Sequence, residues 1–182
     1  DVSKTSGSND YAIPSGNPFS GVQNARDEIW AYGFRNPWGM DFDDESGFLW
    51  VTDTGRTRLE EVNLVESGLN YGWPMMEGTY CFNPDAPDNP PTSCDQTGLI
   101  PPLLEYGRNK GCAIVGGYVY RGIEIEAIAG GYIYGDYCYG RIWVALYDGK
   151  SNVQQDLLVE SQLAITAFGE DLAGNIYILD AG

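Results

Sequence analysis

The polar groups of this sequence that could do chemistry fall mostly into two short runs. Arg35-Asn36-Pro37, within YGFRNPWGMDF, places a planar guanidinium fork and an amide that both donates and accepts just ahead of a proline, where the chain must be extended. Either the pair faces a ligand, or Arg35 pairs with one of many acids while Asn36 closes a turn. The second run, TDTGRTRLEEVNLVESGLNYGWP, carries Asp53-Thr54-Gly55-Arg56 and then adjacent carboxylates, Glu60 and Glu61. Gly55 lets backbone carbonyls approach a ligand or metal closely.

The Glu pair invites a hydrolase reading, but extended chain sends Glu60 and Glu61 to opposite faces, so at most one serves a given inward site. Paired-carboxylate hydrolysis needs both acids converging on one bond. A single carboxylate with backbone carbonyls is a hard-cation arrangement suited to Ca²⁺. Glu60 is then expected to face solvent. DFDDESG (41–47) lacks the spacing and closing Glu of an EF-hand and reads as a hairpin turn.

Histidine is absent from the 182 residues. That removes Ser-His-Asp triads, imidazole bases and His-ligated metals from the chemistry of this chain. No phosphate-cradling P-loop or dinucleotide glycine turn is present. The cysteines, Cys81, Cys94, Cys112 and Cys138, form no Cys-x-x-Cys pair. Their even number favours disulfides and an oxidising, extracellular compartment, with buried free thiols as the alternative. Of three connectivities we favour Cys81–Cys94 with Cys112–Cys138. The first closes the proline-rich loop CFNPDAPDNPPTSC, a constraint worth about 3 kcal/mol in the chain-entropy model.

The elements that must position these groups are strands. LWVTD (Leu49–Asp53), YIYGD (Tyr132–Asp136) and IYILD (Ile176–Asp180) are short apolar runs ending in Asp, the pattern of a strand buried on both faces. Their spacing is near one and two units of about 40 residues, and WGMDFDDESGFLWVTD parallels FGEDLAGNIYILD, which is the signature of a β-propeller. NVQQDLLVESQLAI fits two strands as well as a helix. The five tryptophans, Trp30, Trp38, Trp50, Trp73 and Trp143, are expected to pack between blades. The chain is long enough for about four blades and reads as one domain over 1–182 with open blade edges.

The net charge of −16, from 26 acidic and 10 basic residues, repels nucleic acid and anionic membrane surfaces. No run approaches the about 18 apolar residues of a membrane span, and the opening DVSKTSGSNDY is not expected to act as a signal peptide.

Taken together, EIWAYGFRNPWGMDFD, LWVTDTGRTRLEEVNLVESGLNYGWPMMEGTYCF, EYGRNKGCAIVGGYVYRG, YIYGDYCYGRIW and FGEDLAGNIYILD resemble, in collinear order, the soluble glucose/sorbosone dehydrogenase family, which includes quinoprotein aldose dehydrogenases and Hedgehog-interacting-protein-like propellers. DVSKTSGSNDYAIPSGNPF resembles the middle of such a protein. The resemblance implies an all-β, six-bladed propeller of which this chain is the later part. In catalytic members it implies pyrroloquinoline quinone (PQQ) with Ca²⁺, oxidising an aldose with a His base. By motif match, Arg35 and Asn36 fall on cofactor and substrate contacts, and the Gly55 and Arg56 carbonyls on the ligands of the cofactor's Ca²⁺, although Arg56 stands where the family sugar oxidase has Pro. Glu61 and the Tyr71 carbonyl match a structural Ca²⁺ site, and Arg141 lies near further cofactor contacts. Tyr80 and Arg108 stand where related sequences often have His.

The expectation is a secreted, Ca²⁺-stabilised propeller module that is non-catalytic in this chain and binds a sugar or an extracellular partner covering its open edges. The alternative is part of a PQQ-dependent aldose dehydrogenase whose His lies elsewhere. Without a base, proton removal loses about 10²–10⁴-fold.

Overall fold

The computed structural model describes residues 11–182, among which there is no α-helix. The first ten residues, part of the stretch that resembles the middle of a longer protein, lie outside the described residues. One antiparallel sheet has the order β1 (Pro37–Phe42), β2 (Leu49–Asp53), β3 (Leu59–Leu64), β6 (Leu104–Gly107). A second runs β7 (Ile114–Val115), β8 (Tyr132–Asp136), β9 (Arg141–Tyr147), β10 (Val153–Glu160). β11 (Ile165–Glu170) pairs with β12 (Ile176–Asp180), and a short hairpin joins β4 (Met76–Glu77) to β5 (Tyr80–Cys81). These are propeller sheets laid side by side in an arc, none closed on itself. NVQQDLLVESQLAI becomes β10 and the approach to β11, and DFDDESG turns the β1–β2 hairpin, with the Gly47 amide donating to the Asp43 carbonyl at 2.8 Å.

The three repeated runs are β2, β8 and β12, each the second strand of its sheet. Their shared terminal Asp is a clasp. Asp53 accepts the Arg35 and Asn36 amides at 2.7 and 2.6 Å, just ahead of β1. Asp136 accepts the Cys112 and Ala113 amides at 2.8 and 2.9 Å ahead of β7, and Asp180 accepts that of Ala164 at 2.8 Å ahead of β11. In each sheet a side-chain carboxylate thus fixes where the first strand begins by accepting backbone amides. A length sufficient for about four blades makes two complete four-stranded sheets and the first hairpin of a third. Residues 65–103, between β3 and β6, are spent on a long excursion that holds the β4–β5 hairpin and the Cys81–Cys94 loop.

The first and second sheets each pack on both faces, so strand alternation there separates two buried environments. Trp50, Val62 and Tyr106 of the first sheet pack against Ile114, Tyr132, Tyr134 and Trp143 of the second, with Trp50 stacked on Tyr132 at 4.7 Å. Val115, Ile133, Ile142 and Val144 pack on Ile165 and Phe168. On the other face of the first sheet, Val51 meets Val65, Tyr71 and Phe34. Trp50 and Trp143 therefore pack between sheets as expected, and Trp73 stacks on Phe82. Trp30 and Trp38 do not: they are 44% and 61% exposed, Trp30 on the outer face of the first sheet, which no further sheet covers, and Trp38 facing an open cleft between the sheets. Both favoured disulfides form, with Cα separations of 5.8 Å for Cys81–Cys94 and 5.7 Å for Cys112–Cys138.

Candidate functional site

The first strands of the three sheets converge on a cleft of about 280 Å³, lined by Asn36, Trp38 and Thr54 of the first sheet's end, Ala113–Val115 and Tyr137 of the second, and Ile165 and Thr166 of the third. Arg35 stands at its margin. The guanidinium pairs with no acid among the described residues: Nη1 donates to the Thr54 carbonyl at 2.8 Å and the Gly55 carbonyl at 3.0 Å, and Cζ lies 5.8 Å from the centre of the Trp73 ring. Asn36 is exposed, its amide donating to Asp53 and its carbonyl accepting from the Thr54 amide at 3.1 Å. Burial pushes the Asp53 carboxyl up, and the Arg35 and Asn36 amides work against that rise.

The loop 54–59 is held from two sides. Glu77 accepts the Thr57 and Arg58 amides at 2.6 and 2.8 Å and the Thr57 hydroxyl at 2.9 Å. Burial opposes its ionisation, yet these donors hold it below the usual carboxylate range. Gly55 is required by proximity, since a Cβ there would stand 1.6 Å from the Leu59 carbonyl oxygen. Arg56 is exposed.

Glu60 and Glu61 do point to opposite faces, but Glu60 does not face solvent. It is 0% exposed and lies on the face turned to the second sheet. Its carboxylate pairs with Arg108 Nη1 and accepts the Ile114 amide at 3.0 Å and the Gly55 amide at 3.3 Å. Arg108 also donates to the Cys112 carbonyl at 2.7 Å and to the Thr57 carbonyl at 3.2 Å. The pair therefore ties the Gly55 loop to the wall of the cleft. The solvent expectation fails because a propeller sheet has no solvent face where a neighbour stacks on it.

Glu61 sits on the opposite face, paired in register with Asp53 on β2 and Glu105 on β6. It accepts the Gly78 amide at 2.6 Å and is approached by Asn63 Nδ2 at 3.3 Å. Burial, then the nearby Asp53, pushes its carboxyl up to about 7. The buried Asn63 Oδ1 has no partner. Tyr71 lies on the same face as Glu61: its ring packs with Val51, which shares a strand face with Asp53, and stacks on Phe34 at 4.7 Å. Its phenol donates to the Leu64 carbonyl at 2.8 Å. Arg141 lines a different cleft, with Lys110, Trp143, Gln155, Leu157 and Glu160, and its guanidinium donates to Glu160 and to the Lys110 carbonyl at 2.8 and 2.9 Å.

Cys112, Asp136 and Cys138 bring ligand-type atoms within 4.8 Å of one another. The two sulfurs are bonded to each other, however, and Asp136 is saturated by four backbone amides and the Tyr106 hydroxyl, so this cluster is a structural knot.

Against known proteins, the family model for Glucose / Sorbosone dehydrogenase matches residues 7–182. This chain belongs to the glucose/sorbosone dehydrogenase family. The HIPL2 protein of Arabidopsis thaliana is 37% identical over 153 residues, covering 80% of this chain and 22% of that protein. Aldose sugar dehydrogenase YliI of Escherichia coli is 46% identical over 63 residues, 35% of this chain and 17% of that protein. Among solved structures, a glucose dehydrogenase superposes with a TM-score of 0.74 at 26% identity, covering 93% of this chain and 48% of that one. The PQQ-bound aldose sugar dehydrogenase of Streptomyces coelicolor gives 0.66 at 20% identity, covering 94% and 43%, a likeness of fold. The chain thus spans about a fifth of the curated relatives' length and about half of the solved dehydrogenases it matches.

What sequence reasoning missed are the residues that hold the cleft and its loops in place rather than line it: Asp53, Glu77, the Glu60–Arg108 pair and Asp136. The repeated Asp at the end of each strand run was the available signal for Asp53 and Asp136, since an acid closing an apolar strand needs donors. Glu77 and Arg108 had no local signal, because the donors to Glu77 lie 18 to 20 residues away and the carboxylate paired with Arg108 lies 48 away.

Proposed function

We propose that this chain is a secreted, Ca²⁺-stabilised propeller module of the glucose/sorbosone dehydrogenase family that binds ligands or partners and does not catalyse on its own. The observation that carries this reading is the composition of the cleft: none of its lining residues is a carboxylate or an imidazole. The titratable groups around it are already committed, Arg35 to carbonyls, Asp53 to amides and Glu60 to Arg108. No base is poised to take an anomeric hydroxyl proton, and the sequence holds no His to supply one. The two disulfides favour an oxidising compartment. The exposed apolar residues Trp30, Met40 and Phe42, and the β11–β12 hairpin, would be covered by further propeller or by an extracellular partner.

The residues fit the groups the family implies. The Thr54 and Gly55 carbonyls already seat a positive charge, that of Arg35, so the Gly55 and Arg56 carbonyls could seat Ca²⁺ with Arg35 turned toward an anionic ligand. Arg35 and Asn36 would hold the carboxylate-bearing quinone; Arg141, which lines a different cleft and is bonded to Glu160, does not join them. When bound, PQQ would supply a hydride acceptor. At the second site, the orphaned Asn63 Oδ1 beside Glu61 and Asp53 is the donor set of a hard cation, with the Tyr71 carbonyl as a further ligand.

The alternative, that the chain is part of a PQQ-dependent aldose dehydrogenase, is favoured by its fold match to a PQQ-bound aldose sugar dehydrogenase. Dye reduction by several aldoses, after reconstitution with PQQ and Ca²⁺, separates the two. Turnover by this chain alone would overturn the module reading, whereas ligand binding without turnover supports it.

A further inference from the structure

Trp38 is the one tryptophan that lines the cleft, and its placement follows from its neighbours. A methyl group at Gly39 would stand 2.4 Å from the Gly116 Cα, so β1 and β7 touch backbone to backbone immediately beside it. That contact brings the first strands of two sheets together and leaves the bulky indole at 38 to fill the gap toward the third. There Nε1 donates to the Thr166 carbonyl at 3.3 Å, a contact between residues 128 apart in sequence. The indole lines the 280 Å³ cleft on one side and a smaller one of about 190 Å³, reaching Gly117 and Phe168, on the other. It is the partition between the two, and it remains 61% exposed.

An exposed indole that walls an apolar cleft beside Arg35, in a chain of net charge −16, joins an aromatic face to a local positive charge. Stacking on a π-face suits a flat conjugated ring, and a guanidinium suits carboxylates on its edge. We propose that Trp38 is the stacking floor for a flat, conjugated, carboxylate-bearing ring seated in this cleft, with PQQ as the probe compound. This deepens the binding reading above and rests on the cleft being its ligand site. Tyr137, 46% exposed and just past β8 of the second sheet, also lines the cleft.

The test is titration of the intact chain with PQQ in Ca²⁺ buffer, following the ligand's absorption band, tryptophan quenching and calorimetric Kd. Trp38→Leu should weaken binding about three- to tenfold, the range that aromatic stacking commands. Trp38→Phe should keep affinity within about threefold while losing part of the quenching. Thermal melts check that both variants fold, which the exposure of Trp38 favours. Wild-type affinity in Trp38→Leu, with Arg35→Gln still weakening PQQ, would overturn the stacking role and leave the cleft reading standing. Absence of PQQ binding to the wild type by all three readouts would overturn both. Binding of a plain aldose that depends on Trp38, with none of PQQ, would also overturn the proposal, assigning the floor to a pyranose.

Discussion

Removing Arg108 should damage this protein more than any surface substitution, and for an electrostatic reason that can be reversed. In Arg108→Ala the Glu60 carboxylate, wholly shielded from water, keeps only the Ile114 and Gly55 amides. Breaking a buried ion pair from one side costs about 3–5 kcal/mol, because the surviving charge is stranded. For a chain of this size that is a fall in Tm on the order of 10 °C. The remedy is to neutralise the stranded group: Glu60→Gln on the Arg108→Ala background buries a neutral amide and should recover more than half of the loss. Burial already pushes the Glu60 carboxyl up, and losing Arg108 pushes it further. The folded variant then holds its proton more tightly than the unfolded chain does. Its stability falls as pH rises through the carboxyl range, and its deficit against wild type narrows as pH drops toward 4.5. Urea and thermal melts of the four members of the cycle, at pH 4.5 and 7.5, measure all of this. A loss below about 1 kcal/mol in Arg108→Ala, or no rescue by Glu60→Gln, would refute the reasoning.

Glu61 offers a metal-linked prediction. Its folded value of about 7 lies above the ordinary 4.5, so in chelator the folded chain retains a proton that the unfolded chain releases. The Glu61 contribution to stability is then fully present below about 4.5 and is lost as pH rises through 7, at most about 3 kcal/mol. Glu61→Gln should flatten that decline, and Ca²⁺ at pH 7.5 should raise the Tm of wild type but not of the variant; an equal Ca²⁺ response in both counts against the site. Gly55→Ala forces the loop off the Leu59 carbonyl and should cost about 2 kcal/mol or more, together with ligand affinity at the cleft; a wild-type melt would contradict the packing. The Cys81→Ser/Cys94→Ser double variant, which opens a short loop outside the two main sheets, should lose about 3 kcal/mol or less while keeping its β-sheet circular dichroism; loss of the sheet signal would mean that the excursion organises the fold.

Strand runs, hairpin turns and cysteine spacing are local, so they could be read directly: β2, β8 and β12 have the expected bounds, and both disulfides close as paired. The opposite facing of Glu60 and Glu61 follows from strand geometry alone. What lies against each face does not, because it depends on a neighbouring sheet whose residues are distant in sequence. Glu60 became an interior ion pair because the second sheet stacks on it, and Trp38 stayed exposed because it faces the open cleft between the sheets. The repeated Asp was visible as a pattern, but its work as a clasp appeared only once the chain returned beside it. Composition and short-range order thus determined that this is a disulfide-bearing β-propeller chain of the glucose/sorbosone dehydrogenase family without an imidazole. Only the tertiary structure decided which charges are buried, which loops they hold, and which aromatic ring is left facing the cleft, since burial and electrostatics are set by partners that sequence distance conceals.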